Sequence, residues 1–393
     1  MYKTEENFIK ALKSGLCMET EAFECDIDDL EHLALTHICV PFVYRGAVNA
    51  GNVVSDEWKN YVTVSLLRNQ KNLQVQSMIL DILKKANVPC SVIKGSTVAV
   101  NYPEPMMRTL GDIDVLVNVA DYEKTIELLC GDKYENEAAE DHQFHYKYTI
   151  QGVSVEIHKH VTEYSDNEYG KKIESIMAKA LDKTALKQID EFVFPSLTNE
   201  YMAATLLLHT QRHFFENRLP IRMLCDWAMF VKSVELSEWN ALVYPFVSQM
   251  GLDAICDGLT ATCNTYLGIG CEDKVKSHID DKTCEILIEE FLNCGVIRDE
   301  DSWSESMASS YSQKRNATNG KIMPLVLILN DIARHDFAIA RKSVLFLPLC
   351  WIFIAIRYLF RRITGKRDKV SFKAFNATAE RKDFLINKLN LKD

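Results

Sequence analysis

The sequence lacks several features that would point to common protein classes. Its 12 cysteines form no C-x-x-C pair and lie beside no histidine at zinc-type spacing. This argues against a structural zinc site and favours reduced, mostly buried thiols. The first residues are charged, with no apolar segment, so we expect no secretory signal and a cytoplasmic protein. There is no internal repeat, and 47% hydrophobic with 25% charged residues is typical of a folded globular chain.

Positive charge is scarce except near the end of the chain. The net charge is −10, yet residues 341–393 contain 13 Lys and Arg against 4 Asp and Glu, a net charge of +9. The preceding 340 residues therefore carry −19. An acidic body binds nucleic acid poorly, and no basic groove interleaved with aromatic residues is evident. We therefore expect no nucleic-acid partner.

The longest apolar segment covers residues 343–360, SVLFLPLCWIFIAIRYLF, and Arg357 is its one charged residue. A transmembrane helix needs about 20 apolar residues, so a span is disfavoured, as it also is by Pro348 and Arg357. Five Lys and Arg follow by residue 369. Two interpretations remain open: peripheral contact with an anionic membrane through 343–369, or a buried core helix with a solvated basic end.

The pattern of apolar residues predicts an α+β fold, a small mixed sheet flanked by helical regions. Residues 1–88 and 171–298 have mainly helical spacing. Residues 89–170 alternate between strand and helix and end in two strands joined at Gln151-Gly152, which predicts a hairpin. Residues 299–340 are interpreted as a polar, serine-rich loop to 319 and then a helix, and 341–393 as the apolar and basic segment.

Asp112 and Asp114 open a predicted strand with the sequence Gly-Asp-Ile-Asp-Val-Leu-Val. Residues i and i+2 of a strand point to the same face, so the two carboxylates should lie side by side. Their repulsion would be relieved by a divalent cation such as Mg²⁺, which prefers carboxylate oxygens. The alternative is a chance pair of aspartates that caps a strand in solvent.

Two further features lie near this pair in the predicted sheet. Glu156 lies within the strand Val-Glu-Ile-His, where burial without a partner would be costly; the alternative is a surface residue on a half-exposed strand. Gly95 and Ser96 follow the preceding strand, where a helix begins, and their N–H groups and hydroxyl suit phosphates.

Three segments together resemble the uncharacterised nucleotidyltransferase family of the polymerase-β-type superfamily. They are Lys94–Ser96, Arg108–Val117 and Val155–His158. The resemblance reaches from about residue 25 to 235 and includes the downstream helical motif. The sequence departs from the superfamily pattern in two ways. The gap between Gly-Ser and Asp-x-Asp is longer than the minimal pattern, and Glu156 stands where Asp is common.

The resemblance implies nucleotidyl transfer, in which an acceptor hydroxyl attacks the α-phosphate of an NTP and pyrophosphate leaves. Asp112, Asp114 and Glu156 would be the catalytic residues and would hold two Mg²⁺ ions, with Mn²⁺ as an alternative. The nucleotide-binding residues would be Gly95, Ser96, Lys94 and Arg108. For Lys94 and Arg108, the alternative to a phosphate contact is an ion pair within the protein. For Arg108 the partner would be Asp112 or Glu104.

Four residues of the helical region remain open to interpretation. Arg222 and Asp226 are four apart and predict a helical ion pair. His209 and His213 have the same spacing but lack the Glu of a metalloprotease motif, so helix packing or contact with the nucleotide base is favoured over zinc. His158 is interpreted as a strand-end residue or as a group that orients Glu156.

The acceptor is not evident from the sequence. A small molecule or a glycan precursor is favoured. The alternatives are a protein acceptor, or a non-catalytic scaffold that binds nucleotides, against which the complete set of three acidic residues argues.

Overall fold

The computed structural model describes residues 2–16, 22–130, 140–141, 145–162, 167–297, 302–318, 322–337, 339–340, 343–363 and 372–392. The N-terminal region is helical, as predicted, with helices α1 (Lys3–Gly15), α2 (Ile27–Thr36), α3 (Val40–Asn49) and α4 (Asp56–Lys85). The Ser55 hydroxyl caps α4 by accepting a hydrogen bond from the Trp58 amide at 3.0 Å.

One mixed sheet of seven strands forms the centre of the fold, which confirms the predicted α+β class. The strands are β1 (Cys90–Val92), β2 (Ile113–Val117), β3 (Glu140–Asp141), β4 (His145–Ile150), β5 (Val153–His158), β6 (Thr184–Ile189) and β7 (Phe192–Leu197). Their order is β3-β4-β5-β2-β1-β7-β6. The pairs β2–β5 and β1–β7 are parallel, and the other neighbours are antiparallel. The predicted hairpin is β4–β5.

The prediction that the chain is helical after residue 171 is wrong for β6 and β7. Every second residue of β6 is exposed, so the strand has no continuous apolar face that its sequence could display. Its partner β7 joins the sheet by pairing Ser196 with Val92 of β1. The two paired residues are about a hundred positions apart in the sequence, and hydrophobic periodicity reports only on residues that are close in sequence. The sheet therefore extends beyond the predicted core of residues 89–170.

Short elements connect the strands, and a helical region follows. The connecting elements are α5 (Ser96–Ala99), α6 (Tyr122–Cys130) and 3-10 turns at Pro105–Met107 and Val119–Asp121. The following helices are α7 (Glu168–Met177), α8 (Asn199–Phe215), α9 (Ile221–Ser233), α10 (Leu236–Glu238), α11 (Tyr244–Gln249), α12 (Asp253–Leu267) and α13 (Asp281–Asn293). A π-helical turn, Trp239–Val243, links α10 to α11, and a 3-10 turn lies at Glu272–Lys274.

The last part of the chain contains α14 (Ser302–Ala317), α15 (Met323–Asp336), a 3-10 turn (Val344–Phe346), α16 (Leu347–Ile363) and α17 (Phe372–Lys388). The loop predicted for 299–319 is thus wrong over α14. Two of its serines are buried: Ser312 donates to the Ala379 carbonyl of α17 at 3.1 Å, and Ser309 to the Phe215 carbonyl of α8 at 3.0 Å. Serine stands here because the helices approach closely, a tertiary reason that the sequence pattern hides.

Apolar side chains cover both faces of the sheet. Ile113, Val115 and Val117 of β2 pack in one cluster with residues of α4 and α6. A larger cluster on other elements runs from Phe8 to Leu391. Four of the five predicted segments contribute to this cluster, whereas Ala333 and Ala340 of the segment 299–340 pack in a separate one with Leu347 and Cys350; the boundaries between the segments stay a prediction.

The fold bears on two expectations from the sequence, that the cysteines are reduced and that no segment spans a membrane. The eleven described cysteines are free and eight are buried, which agrees with reduced thiols; a cytoplasmic location stays a prediction. Within the described ranges, no helix combines the length and apolar character needed to cross a membrane. The apolar segment at 343–360 instead forms the 3-10 turn and most of α16.

Candidate functional site

The carboxylates meet because β2 and β5 are parallel neighbours in the sheet. The register pairs Asp114 with Glu156 and Leu116 with His158. Since side chains alternate between faces, Asp114, Glu156 and His158 lie on one face, opposite the apolar cluster under α4. Asp114 is buried, with 3% of its surface exposed.

His158 lies between the two carboxylates. Its Nε2 atom is 2.8 Å from Asp114 Oδ1 and 3.4 Å from Glu156 Oε2. Two lysines approach from the sides: Lys94 Nζ is 3.0 Å from Asp114 Oδ1, and Lys147 Nζ is 3.0 Å from Glu156 Oε1. The sequence left the role of His158 open, and the structure places it at the centre of the site.

Asp114, Glu156 and His158 can hold a metal ion, since one ligand atom from each lies within 4.8 Å of the others. Asp112 precedes the strand, is exposed, and lines the same cavity. Asp112 lies close enough to Asp114 for the two carboxylate charges to interact, as the predicted pair requires. Asp114 pairs with Glu156 across the sheet, and Asp112 lies at the rim.

The pKa of Asp112 shows that negative charge remains in the site. The neighbouring Asp114 carboxylate raises it to about 6. Although the side chain reaches solvent, the cavity walls reduce its hydration and act in the same direction, as does Glu156. A carboxyl group whose pKa is raised by like charges is stabilised by a cation. The donor set therefore fits a divalent ion.

The other two carboxylates are held ionised by their partners. Burial by itself would raise the pKa of Asp114, but Lys94 and His158 hold it well below its usual range. Burial opposes the shift of Glu156 as well, and hydrogen bonds with His158 and Lys147 lower its pKa to about 2. Burial would lower the pKa of His158, yet its bonds to the two carboxylates raise it.

The turn after β1 places a backbone group at the cavity. Gly95 has φ +60°, which favours glycine, and it lines the cavity beside Lys94. Ser96 is buried, and its hydroxyl donates to Gln76 Oε1 at 2.7 Å. The hydroxyl predicted to bind phosphate is thus engaged with α4. Lys94 forms the ion pair that was one of its two interpretations.

Arg108 lines the cavity but forms a two-pronged ion pair with Asp226 of α9. Its Nε and Nη2 atoms lie 2.7 and 2.8 Å from the two carboxylate oxygens, and the Tyr102 hydroxyl donates to the same group at 2.6 Å. The sequence favoured a phosphate contact for Arg108, with Asp112 or Glu104 as ion-pair alternatives. Glu104 instead pairs with Arg45, at 2.7 Å.

Two asparagines of α4 hold the loop before β2, and sequence reasoning missed both. Asn69 donates to the Met106 and Arg108 carbonyls at 2.7 and 2.9 Å and accepts from the Leu110 amide at 2.8 Å. Asn72 donates to the Gly111 carbonyl at 2.7 Å. Polar residues on the buried face of a long helix were the available signal.

Helices α8 and α9 form the opposite wall of a cavity of about 660 Å³. His209 and His213 contact each other edge to face at 4.4 Å, and burial lowers both pKa values, that of His213 to about 4. Both rings are therefore neutral near pH 7. A zinc site at His209 and His213 is not supported. Among the described residues, the group of side chains that could hold a metal ion consists of Asp114, Glu156 and His158.

Arg222 does not form the predicted ion pair with Asp226, which Arg108 occupies. Its Nη1 atom donates to the Thr109 carbonyl at 3.1 Å. In the described part of the chain, no group accepts a hydrogen bond from its buried Nε. Burial and the nearby Arg108 lower the pKa of Arg222, and the charges of Asp226 and Asp112 offset this only in part.

The chain was compared with known protein families and proteins. The model of a family described as "Uncharacterised nucleotidyltransferase" matches residues 24–268. This range runs from the segment before α2 to the end of α12 and contains every residue of the cavity. None of the curated proteins matches the chain.

Proposed function

The chain belongs to the uncharacterised nucleotidyltransferase family, and from this we propose that it transfers a nucleoside monophosphate from an NTP to an acceptor hydroxyl. The α-phosphorus would form a bond to the acceptor oxygen as its bond to the bridging oxygen breaks, and pyrophosphate would leave. Glu156 would help to take the proton of the acceptor hydroxyl. The observation that carries the proposal is the convergence of Asp112, Asp114, Glu156 and His158 at one cavity.

Asp112, Asp114 and Glu156 would hold one or two divalent ions, and His158 adds a nitrogen donor. Mg²⁺ and Mn²⁺ both prefer oxygen ligands, so the three carboxylates fit either ion. A bound ion would polarise phosphate oxygens and stabilise the developing charge. Lys94 and Lys147 neutralise the carboxylates in this structure, and with an ion in place they would be available to phosphate oxygens.

The phosphate chain would bind between the two walls of the cavity. The Gly95 turn and Lys94 offer contacts on the sheet side, and Arg222 offers a cation without a bonded carboxylate on the helical side. Arg108 fits better as a positioning residue, because Asp226 takes its bidentate face. The predicted Ser96 contact would require its hydroxyl to leave Gln76.

The acceptor stays a prediction, with a small molecule or glycan precursor favoured over a protein. A scaffold without activity is less well supported. Burying ionised carboxylates costs desolvation free energy, and groups of this kind cluster at functional sites.

The first test is calorimetry of the four NTPs with Mg²⁺ or Mn²⁺. Wild type should bind at least one NTP in a metal-dependent way, and Asp112→Asn/Asp114→Asn should weaken this at least about a hundredfold, since two ligands are lost. The matched control is Asp28→Asn/Asp29→Asn, which removes the same charge from exposed residues of α2. If wild type binds no NTP with either metal, the proposal fails.

A further inference from the structure

Helix α16 is apolar on two opposite faces, and the fold buries only one of them. Leu347 and Cys350 are 6% and 3% exposed and pack with Ala333 and Ala340. This contact fastens α16 to α15. One buried apolar stripe is enough to attach a surface helix to the rest of the protein, so packing within the chain does not explain a second apolar face.

The second face is exposed along the whole helix. It consists of Leu349, Ile352, Phe353, Ile356 and Phe360, which are 52%, 56%, 54%, 56% and 66% exposed. Their spacing of three or four residues places them on one side of the helix. Val344 and Leu345, 64% and 84% exposed, precede the helix. A contiguous apolar surface of this kind marks an interaction site.

The sequence segment that contains this helix is strongly cationic. The 31 residues from 337 to 367 contain seven Lys and Arg and no Asp or Glu, whereas the first 340 residues of the chain carry −19. Arg357, within the helix, pairs with Asp336. In the sequence, the apolar helix is thus flanked by cations in an otherwise acidic chain, which favours an anionic partner.

We propose that the exposed face of α16 binds the surface of an anionic lipid bilayer, with the helix lying in the plane of the membrane. At 17 residues the helix is about 25 Å long, too short for a hydrocarbon core of about 30 Å. Large apolar side chains enter the boundary between headgroups and acyl chains, and the adjacent cations contact lipid phosphates. This function is separate from nucleotide transfer.

A second copy of the chain fits the face less well. A two-fold dimer would place the same patch against itself and bring seven Lys and Arg of one copy beside seven of the other. Such an arrangement concentrates like charge at the rim of the interface. A bilayer that contains anionic lipid compensates this charge.

The test is co-sedimentation of the full chain with vesicles of phosphatidylcholine, alone or with about 30% phosphatidylglycerol. Wild type should sediment with the mixed vesicles and far less with the neutral ones, and about 0.5 M NaCl should reduce the bound fraction. Phe353→Glu/Ile356→Glu should lower the partition coefficient at least about tenfold. The control Leu186→Glu/Val193→Glu alters residues of β6 and β7 that are 75% and 55% exposed, and should bind as wild type does.

Circular dichroism and NTP binding of each variant would show that the fold is kept. Equal binding of wild type and the Phe353→Glu/Ile356→Glu variant would overturn the proposal, as would equal binding to neutral and anionic vesicles. Absence of vesicle binding would also overturn it. In that case light scattering would show whether the face joins two copies, as a dimer that the double variant separates.

Discussion

Arg222 is a cavity-lining cation whose guanidinium has no bonded carboxylate among the described residues and whose Nε is buried without a hydrogen-bond acceptor. Arg108 is paired with Asp226, Arg212 with Glu216 at 2.8 Å, and Lys94 with Asp114. A poorly compensated cation in a cavity wall is stabilised by an anionic ligand. At the scale of single residues, Arg222 is therefore the strongest candidate for a phosphate contact.

Arg222→Gln should weaken NTP binding about ten- to a hundredfold, the range expected for a charge-assisted bond to phosphate. Binding of the corresponding monophosphate should change less, because fewer phosphates reach the helical wall. Arg212→Gln removes the same charge from a side chain that Glu216 already neutralises, and should stay close to wild type. Equal NTP affinities for wild type and Arg222→Gln, by calorimetry, would rule out this role while leaving the transferase proposal intact.

His37 makes stability depend on pH. It is fully buried, and its Nδ1 accepts a hydrogen bond from the Ile221 amide at 3.3 Å. Burial lowers its pKa from 6.5 to about 4. The unfolded chain therefore binds a proton between these values while the folded protein does not, so stability falls as pH falls through this window.

His37 should contribute a loss of about 2 kcal/mol in the free energy of unfolding between about pH 7.5 and about pH 5. His37→Gln, measured by urea unfolding at both pH values, should remove that part of the difference even if it lowers stability at each. His278→Gln alters an exposed histidine and should keep the wild-type slope. An unchanged slope in His37→Gln would mean that His37 does not titrate as described.

Among the helices, α1 and α3 depend on two glycines at their crossing. A Cβ atom at Gly46 would lie 1.9 Å from the Ala11 carbonyl oxygen, and one at Gly15 would lie 1.8 Å from that of Phe42. Both contacts are with backbone, so a side-chain movement cannot relieve them. The glycines set the distance between the helices.

Gly46→Ala should therefore lower the free energy of unfolding by about 2 kcal/mol or more, as overpacking does. In an exposed helix the same change would stabilise by about 1 kcal/mol, so the sign is diagnostic. Val48→Ala, at a position of the same helix that is 45% exposed, is the control and should have little effect. Urea unfolding of the three proteins would decide; a stabilised Gly46→Ala would contradict the close approach.

Over the whole molecule, a buried ionic group ties the end of the chain to the helical wall of the cavity. Lys382 of α17 contacts Glu290 of α13 and the Phe214 carbonyl of α8, each at 2.5 Å. Arg381 contacts the same carboxylate at 2.5 Å. Glu290 and Lys382 are 0% and 1% exposed, so neither can be hydrated if the other is lost.

Lys382→Met should lower the free energy of unfolding by about 3 kcal/mol, because a buried carboxylate loses a partner. Lys388→Met removes a cation from the same helix whose ion pair with Asp280 is half exposed, and should cost less than about 1 kcal/mol. Adding Glu290→Met to Lys382→Met should recover part of the loss. Thermal and urea unfolding would measure all three, and equal losses for both lysines would show that burial does not matter here.

Much of the local structure could be predicted from the sequence because its signals are local. Alternating apolar residues and the Gln151-Gly152 turn predicted the β4–β5 hairpin, and helical spacing predicted α8, α9 and α12. The Asp-x-Asp and the isolated Glu156 identified the acidic residues of the site. The strands β6 and β7 and helix α14 were missed, because their residues are explained by contacts with distant elements.

The sequence by itself determined the class of fold, the acidic residues and the cationic apolar segment near the C-terminus, since each is a property of neighbouring residues. The tertiary structure decided which of these residues meet. It paired Asp114 with Glu156 through parallel strands, placed His158 between them and joined Arg108 to Asp226 across 118 residues. It also left Arg222 without a bonded carboxylate among the described residues and left the side chains of Leu349, Ile352, Phe353 and Ile356 of α16 exposed. Such pairings depend on distances between remote parts of the chain, and these exist only once the chain has folded.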